Sequence, residues 1–99
     1  MANYRSESTD RLFQILAELR TPEECRTFLE DLCTIKEIRD MAQRFETALL
    51  LDQGYSYQKI AGAVGISSAT ISRVNRCLTY GANGYRLAID RLAETEKKQ

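Results

Sequence analysis

Histidine is absent from the 99 residues, and cysteine occurs three times, at Cys25, Cys33 and Cys77. Without histidine or a Cys-x-x-Cys pair, a structural zinc site lacks its usual ligands. An odd number of widely spaced cysteines argues against a disulfide framework. The three thiols are expected to act as small buried hydrophobes, with redox sensing as the alternative. There is no glycine-rich phosphate loop and no metal-ligand spacing, so the chain is not expected to be an enzyme or to carry a cofactor. Carboxylates such as Glu46 and Asp52 read as solvated charges on polar helix faces. One proline and five glycines leave little punctuation, which favours long helices over many short strands. No apolar run approaches the ~20 residues that span a bilayer. The opening Met-Ala-Asn-Tyr-Arg-Ser-Glu-Ser has no apolar signal-peptide core, so a cytoplasmic chain is expected.

What is present suits one modest domain, 1–99, in which burial against a partner chain would add stability. Apolar residues make up 43% and charged residues 28%, ordinary values for a soluble globular protein. The formal net charge is zero, but it is unevenly spread. Residues 1–54 carry 7 basic and 11 acidic side chains, whereas residues 55–99 carry 7 basic and 3 acidic. Between Tyr55 and Gly81 stand Lys59, Arg73 and Arg76 and no acid. A surface for nucleic acid needs local positive potential, not a high overall isoelectric point.

The apolar periodicity predicts an all-α chain. A first helix should run from about Thr9 to Leu19, capped by Thr9 or Asp10, with Leu12, Phe13, Ile15, Leu16 and Leu19 inward. Thr21 caps the next, Pro22 opens it and Glu24 closes a capping box. It should reach Leu32 and bury Cys25, Phe28, Leu29 and Leu32. A second box, Thr34 to Glu37, starts a third helix that ends near Asp52 before Gly54. On it, Ile35, Ile38, Met41, Ala42, Phe45, Ala48 and Leu49 cover an arc of roughly 140°. Leu50 and Leu51 fall outside that arc. Either a second chain packs there, or the last helix of the same chain covers them. That last helix is expected from about Gly84 to Glu94, with Glu96–Gln99 a frayed tail.

The most informative segment is Ser56 to Val74. Ser56 caps a short helix with Ile60, Ala61 and Val64 inward. Gly65 allows the positive φ of a tight turn, Ile66 plugs that turn, and Ser67 or Ser68 caps the following helix. Ile71, Val74 and Leu78 form its buried stripe. Two helices so joined make a helix-turn-helix unit, about 56–80. Around the second helix, Ser68, Ala69, Ser72 and Arg76 lie opposite the core, on the face whose first turn enters a major groove. The candidate DNA-binding residues are Gln58, Lys59, Ser67, Ser68, Ala69, Thr70, Ser72, Arg73 and Arg76. Small side chains admit base edges, and the basic ones suit phosphates or a guanine edge. Double-stranded DNA is the expected partner.

Several blocks carry a resemblance to a known family. They are Thr21-Pro22-Glu23-Glu24-Cys25, Asp31 through Ile38, Met41-Ala42-Gln43-Arg44 and, above all, Ser68 through Leu78. Across roughly Leu12 to Leu92 the chain resembles the Trp repressor superfamily, and within it the Trp repressor-related YerC/YecD family. The resemblance implies six helices per chain, an intertwined homodimer whose core is helices 1–3 and 6, and transcriptional repression. It also implies an effector pocket at Thr34, Arg44, Thr70, Arg73, Val74 and Cys77. In the amino-acid-binding repressor two arginines sandwich an indole ring, and Arg44 and Arg73 stand at the matching places. Thr34 and Thr70 match pocket threonines. Val74, however, replaces the glycine that lets the ring lie flat, and Cys77 replaces a serine. Tryptophan is therefore not the expected effector; no effector is the leading reading, and another small molecule the alternative. A helix-turn-helix adaptor making protein contacts in a transcription or replication assembly would share the same core pattern. The acid-free stretch favours DNA.

Overall fold

Hydroxyl side chains start the first five helices. A computed structural model describes residues 3–97 as six α-helices, with no strand among the described residues. α1 (Glu7–Glu18) begins at Ser6, whose Oγ accepts the Thr9 N–H at 3.1 Å while Thr9 Oγ1 accepts the Ser6 N–H at 2.9 Å. The cap is thus Ser6 and not Thr9 or Asp10. Thr9 is the third helical residue and closes the box, a role a hydroxyl fills as well as a carboxylate. α2 (Pro22–Leu32) is capped by Thr21, which accepts the Glu24 N–H at 3.1 Å. The Glu24 carboxylate reaches one residue further back than a capping box requires, to the Arg20 N–H at 2.9 Å. In α3 (Ile35–Asp52) the box is complete, with Thr34 N–H to Glu37 Oε1 at 2.7 Å and Glu37 N–H to Thr34 Oγ1 at 3.0 Å. Gly54, at φ 90°, stops the chain from continuing as helix.

The backbone gathers into two compact units, Met1–Ile38 and Arg39–Gln99. In the first, α1 and α2 bury no residue fully. Tyr4 meets Phe13 edge-on at 6.2 Å between ring centres, yet Phe13 keeps half its surface. Cys25, Phe28 and Leu29 are half-buried, and Leu32 is 51% exposed, so α2 does not bury its whole apolar stripe as expected. The reason is shortage of cover: two short helices cannot enclose each other's apolar faces.

The second unit holds the core. Ala48 of α3, Val74 of α5 (Ser68–Tyr80) and Ile89 of α6 (Gly84–Lys97) pack together, ringed by Phe45, Leu49, Leu51, Leu78 and Tyr85. Leu51 packs against this core from its own chain and stays half-buried, as does Leu50, which lies outside the cluster. Thr47, fully buried, donates its hydroxyl to the Gln43 carbonyl one turn back at 2.8 Å, so no polar atom is left unpaired there. α6 continues past the expected end at Glu94 to Lys97. No Gly or Pro interrupts it, and Lys97 suits the negative end of the helix dipole. Of the expected frayed tail, Lys98 and Gln99 lie outside the described residues.

One ion cluster ties α6 to the end of α3. Arg86 donates to both Asp52 oxygens, at 2.7 and 3.3 Å, and to Asp90 Oδ1 through Nε at 3.1 Å and through a terminal nitrogen at 2.9 Å. The Arg86 hydrogen bond holds the Asp52 carboxyl below its ordinary value, against a smaller opposing effect of desolvation.

Candidate nucleic-acid interface

Local chemistry builds the two-helix unit almost residue by residue. Ser56, in extended backbone, accepts the Lys59 N–H at 3.2 Å and starts α4 (Tyr57–Val64). Gly65 ends it at φ 79°, ψ 37°, with its N–H on the Ala61 carbonyl at 2.9 Å. That left-handed backbone is strained for any residue with a Cβ. Ser67 then caps α5 by accepting the Thr70 N–H at 3.2 Å. Of the two serines offered by the sequence, Ser67 is the cap and Ser68 the first helical residue. Ile60 and Ile71 are fully buried and Val74 is 1% exposed, so the inward faces of α4 and α5 are those the spacing predicted. α5 packs against both α4 and α6. Gln43 of α3 donates its side-chain amide to the Val64 carbonyl at 3.4 Å, giving a partner to one of the carbonyls at the end of α4.

On the outer side, Ser68, Ala69, Ser72, Arg73 and Arg76 are all exposed along α5, and Gln58 and Lys59 are exposed on α4. Thr70 is half-buried and its hydroxyl lies 3.1 Å from Ser67 Oγ, so these two side chains serve the helix start first. Among the described residues no ion pair engages Lys59, Arg73 or Arg76. Their charge is available to a ligand. The first-turn N–H groups of α5 lack intrahelical acceptors and form its positive end. Small side chains at Ser68 and Ala69 leave that end open to a phosphate or a base edge.

The residues expected to form an effector pocket are placed differently from one another. Thr34 is exposed and caps α3. Arg44 and Arg73 are exposed, and Val74 is committed to the core against Ala48 and Ile89. Cys77 is exposed, contrary to its expected burial, while Cys25 and Cys33 are half-buried. Cys77 lies at the edge of an open cavity of about 450 Å³. Phe45, Gly81, Ala82, Gly84, Tyr85 and Ala88 complete that cavity, which is largely apolar.

The sequence does not announce the bonds of Arg86 to Asp52 or of Gln43 to the end of α4. The Arg86–Asp52 contact joins residues 34 apart in the chain, and no local pattern announces such a pairing. Among the described residues no cluster of His, Cys, Asp or Glu could hold a metal ion, and no helix is long and apolar enough to cross a membrane.

Comparison with known proteins agrees with this geometry. The family model described as Trp repressor protein matches residues 7–93. The uncharacterized protein YerC of Bacillus subtilis (strain 168) is 50% identical over 92 residues, covering 93% of this chain and 88% of the relative. A crystal structure of a TrpR-like protein from Eubacterium eligens ATCC 27750 superposes with a TM-score of 0.87 at 44% identity, over 90% of this chain and 92% of the other. That of a candidate Trp repressor from Staphylococcus aureus gives 0.86 at 42% identity, over 90% and 89%.

Proposed function

We propose that this chain, which belongs to the Trp repressor family and to its YerC-related branch, is a DNA-binding transcriptional regulator that represses as a homodimer. The observation that carries the reading is the outer face of α5. Exposed small residues at its start, followed by unpaired arginines, lie on a helix locked from beneath by Ile71 and Val74. A rigid helix with a positive, uncluttered N-terminal end fits a major groove, where short side chains permit close approach and arginines bind phosphate. The acid-free stretch from Tyr55 to Gly81 removes the charges that would repel a duplex.

The dimer reading rests on incomplete burial. Phe13, Leu32 and Ile35 each keep half or more of their surface in the single chain, more large apolar surface than a chain of this size leaves in water without a partner. A two-fold pair would present two equivalent α5 helices. In this reading Gln58, Lys59 and Arg76 set phosphate affinity, Arg73 takes a phosphate or a guanine edge, and Ser68, Ala69 and Ser72 govern base preference. Ser67 and Thr70 hold the helix start from which those contacts are made.

Tryptophan is not proposed as an effector. The Val74 side chain fills core space between Ala48 and Ile89, and a ring placed against this part of α5 would meet a branched side chain where a glycine would leave room.

Duplex titration at two salt concentrations tests the DNA reading. Phosphate contacts make affinity fall steeply with salt, and Arg76→Ala should lower the slope by about one while weakening all duplexes about evenly. Affinity independent of salt, or no binding to any duplex, would move the assignment to a protein-binding adaptor.

A further inference from the structure

We propose that Arg86 and Asp52 are positioning residues for DNA reading: they clamp α6 to the end of α3 and so fix the seat in which α5 is held. The inference rests on the DNA-binding reading above. The Arg86 hydrogen bonds run to α3 and within α6, and not to α5. Val74 of α5 packs in one cluster with Ala48 of α3 and Ile89 of α6, so the mutual placement of α3 and α6 bears on where α5 lies. Arg86 is the residue that joins those two helices by charge. It binds Asp52 with both terminal nitrogens, at 2.7 and 3.3 Å, and is itself held by Asp90 one turn along α6. A planar fork spanning two carboxylates fixes direction as well as distance, which a lone ammonium cannot do.

The location matters as much as the geometry. Asp52 is the last residue of α3, and Tyr57 begins α4 after a short link containing Gly54 at φ 90°. A rotation at the end of α3 would therefore carry α4, and α5 packed on it, with it. Arg86 and Asp90 are exposed and Asp52 keeps a third of its side-chain surface, and ion pairs so open to water add little to stability. The expected consequence is thus in placement of the reading helix and hardly in the folding of the chain.

Charge alone gives the opposite sign for one variant, which makes the proposal testable. Asp52 is the acid nearest in sequence to the acid-free segment. If it acted only as a charge, Asp52→Asn would strengthen binding to every duplex, and Arg86→Lys would change nothing. Positioning predicts that both variants weaken binding to a duplex selected by the wild-type protein, by on the order of tenfold, as for contacting residues that act as a unit. Affinity for a scrambled duplex, which needs no register, should stay the same or rise for Asp52→Asn. The full chain is used, with circular dichroism verifying unchanged helicity. Equal or tighter binding of both variants to the selected duplex overturns the inference while leaving the DNA reading intact. A wild-type protein that binds neither duplex overturns both.

Discussion

Gly81 has less freedom than the other glycines of the chain. A Cβ there would overlap the Cys77 carbonyl oxygen and lie 3.1 Å from its carbon, both backbone atoms that cannot swing aside. The Gly81 N–H is bonded to that same oxygen at 2.8 Å, which ends α5. Gly81→Ala is therefore expected to destabilise the protein by ~1–3 kcal/mol, the range for steric overpacking, seen as a lower urea midpoint. A change within ~0.5 kcal/mol, as for an ordinary surface substitution, would show that the turn yields. Gly65 is constrained for a different reason: a Cβ would meet open space, but the backbone is left-handed. The sequence made Gly65 readable, because it stands between two helical patterns and just before a cap. It did not make Gly81 readable, since that clash depends on how the last turn of α5 closes. Cys77 shows the same limit. As a small apolar thiol it is expected to be buried, yet it stands at the rim of an open cavity.

At the scale of elements, the caps and the turn were legible because they act over three or four residues. Thr21, Thr34, Ser56 and Ser67 each hold the N–H three positions on. α1 was misplaced at its start for a related reason: Ser6 and Thr9 are both hydroxyl residues at box spacing, and only the backbone says which is the cap. The outward face of α5 followed from the 100° step alone, once Ile71 was taken as buried. What the step could not supply was the seat beneath it, where Ala48 and Ile89 come from helices on either side in the chain. Ala69 tests this element directly. Ala69→Leu leaves the core stripe untouched and adds a bulky side chain at the exposed start of the helix. Discrimination between the preferred duplex and a scrambled one should fall, with unchanged helicity; preserved discrimination would place base reading elsewhere on the chain.

For the whole molecule, zero net charge hides a division that the fold puts to use. The acidic excess lies in residues 1–54, whereas α4 and α5 carry basic residues without acids. The acids that flank this stretch in the sequence, Asp52 and Asp90, are both engaged by Arg86. Such a division keeps the chain near neutrality while leaving α4 and α5 positive. The six-helix architecture was readable from periodicity and from resemblance together, because the first five helices each carry a hydroxyl at their start. The partition into two compact units was not, since it depends on which helices lack cover in the single chain. The exposed Phe13, Leu32 and Ile35 set the condition that a second chain would meet. The central claim, that paired α5 helices read a duplex, is tested most directly by footprinting the protein on duplexes it selects from a random pool. The account predicts a two-fold symmetric protected region, with two half-sites about one helical turn apart, ~10 base pairs. Protection of one half-site alone, or selection that enriches no sequence, would contradict it.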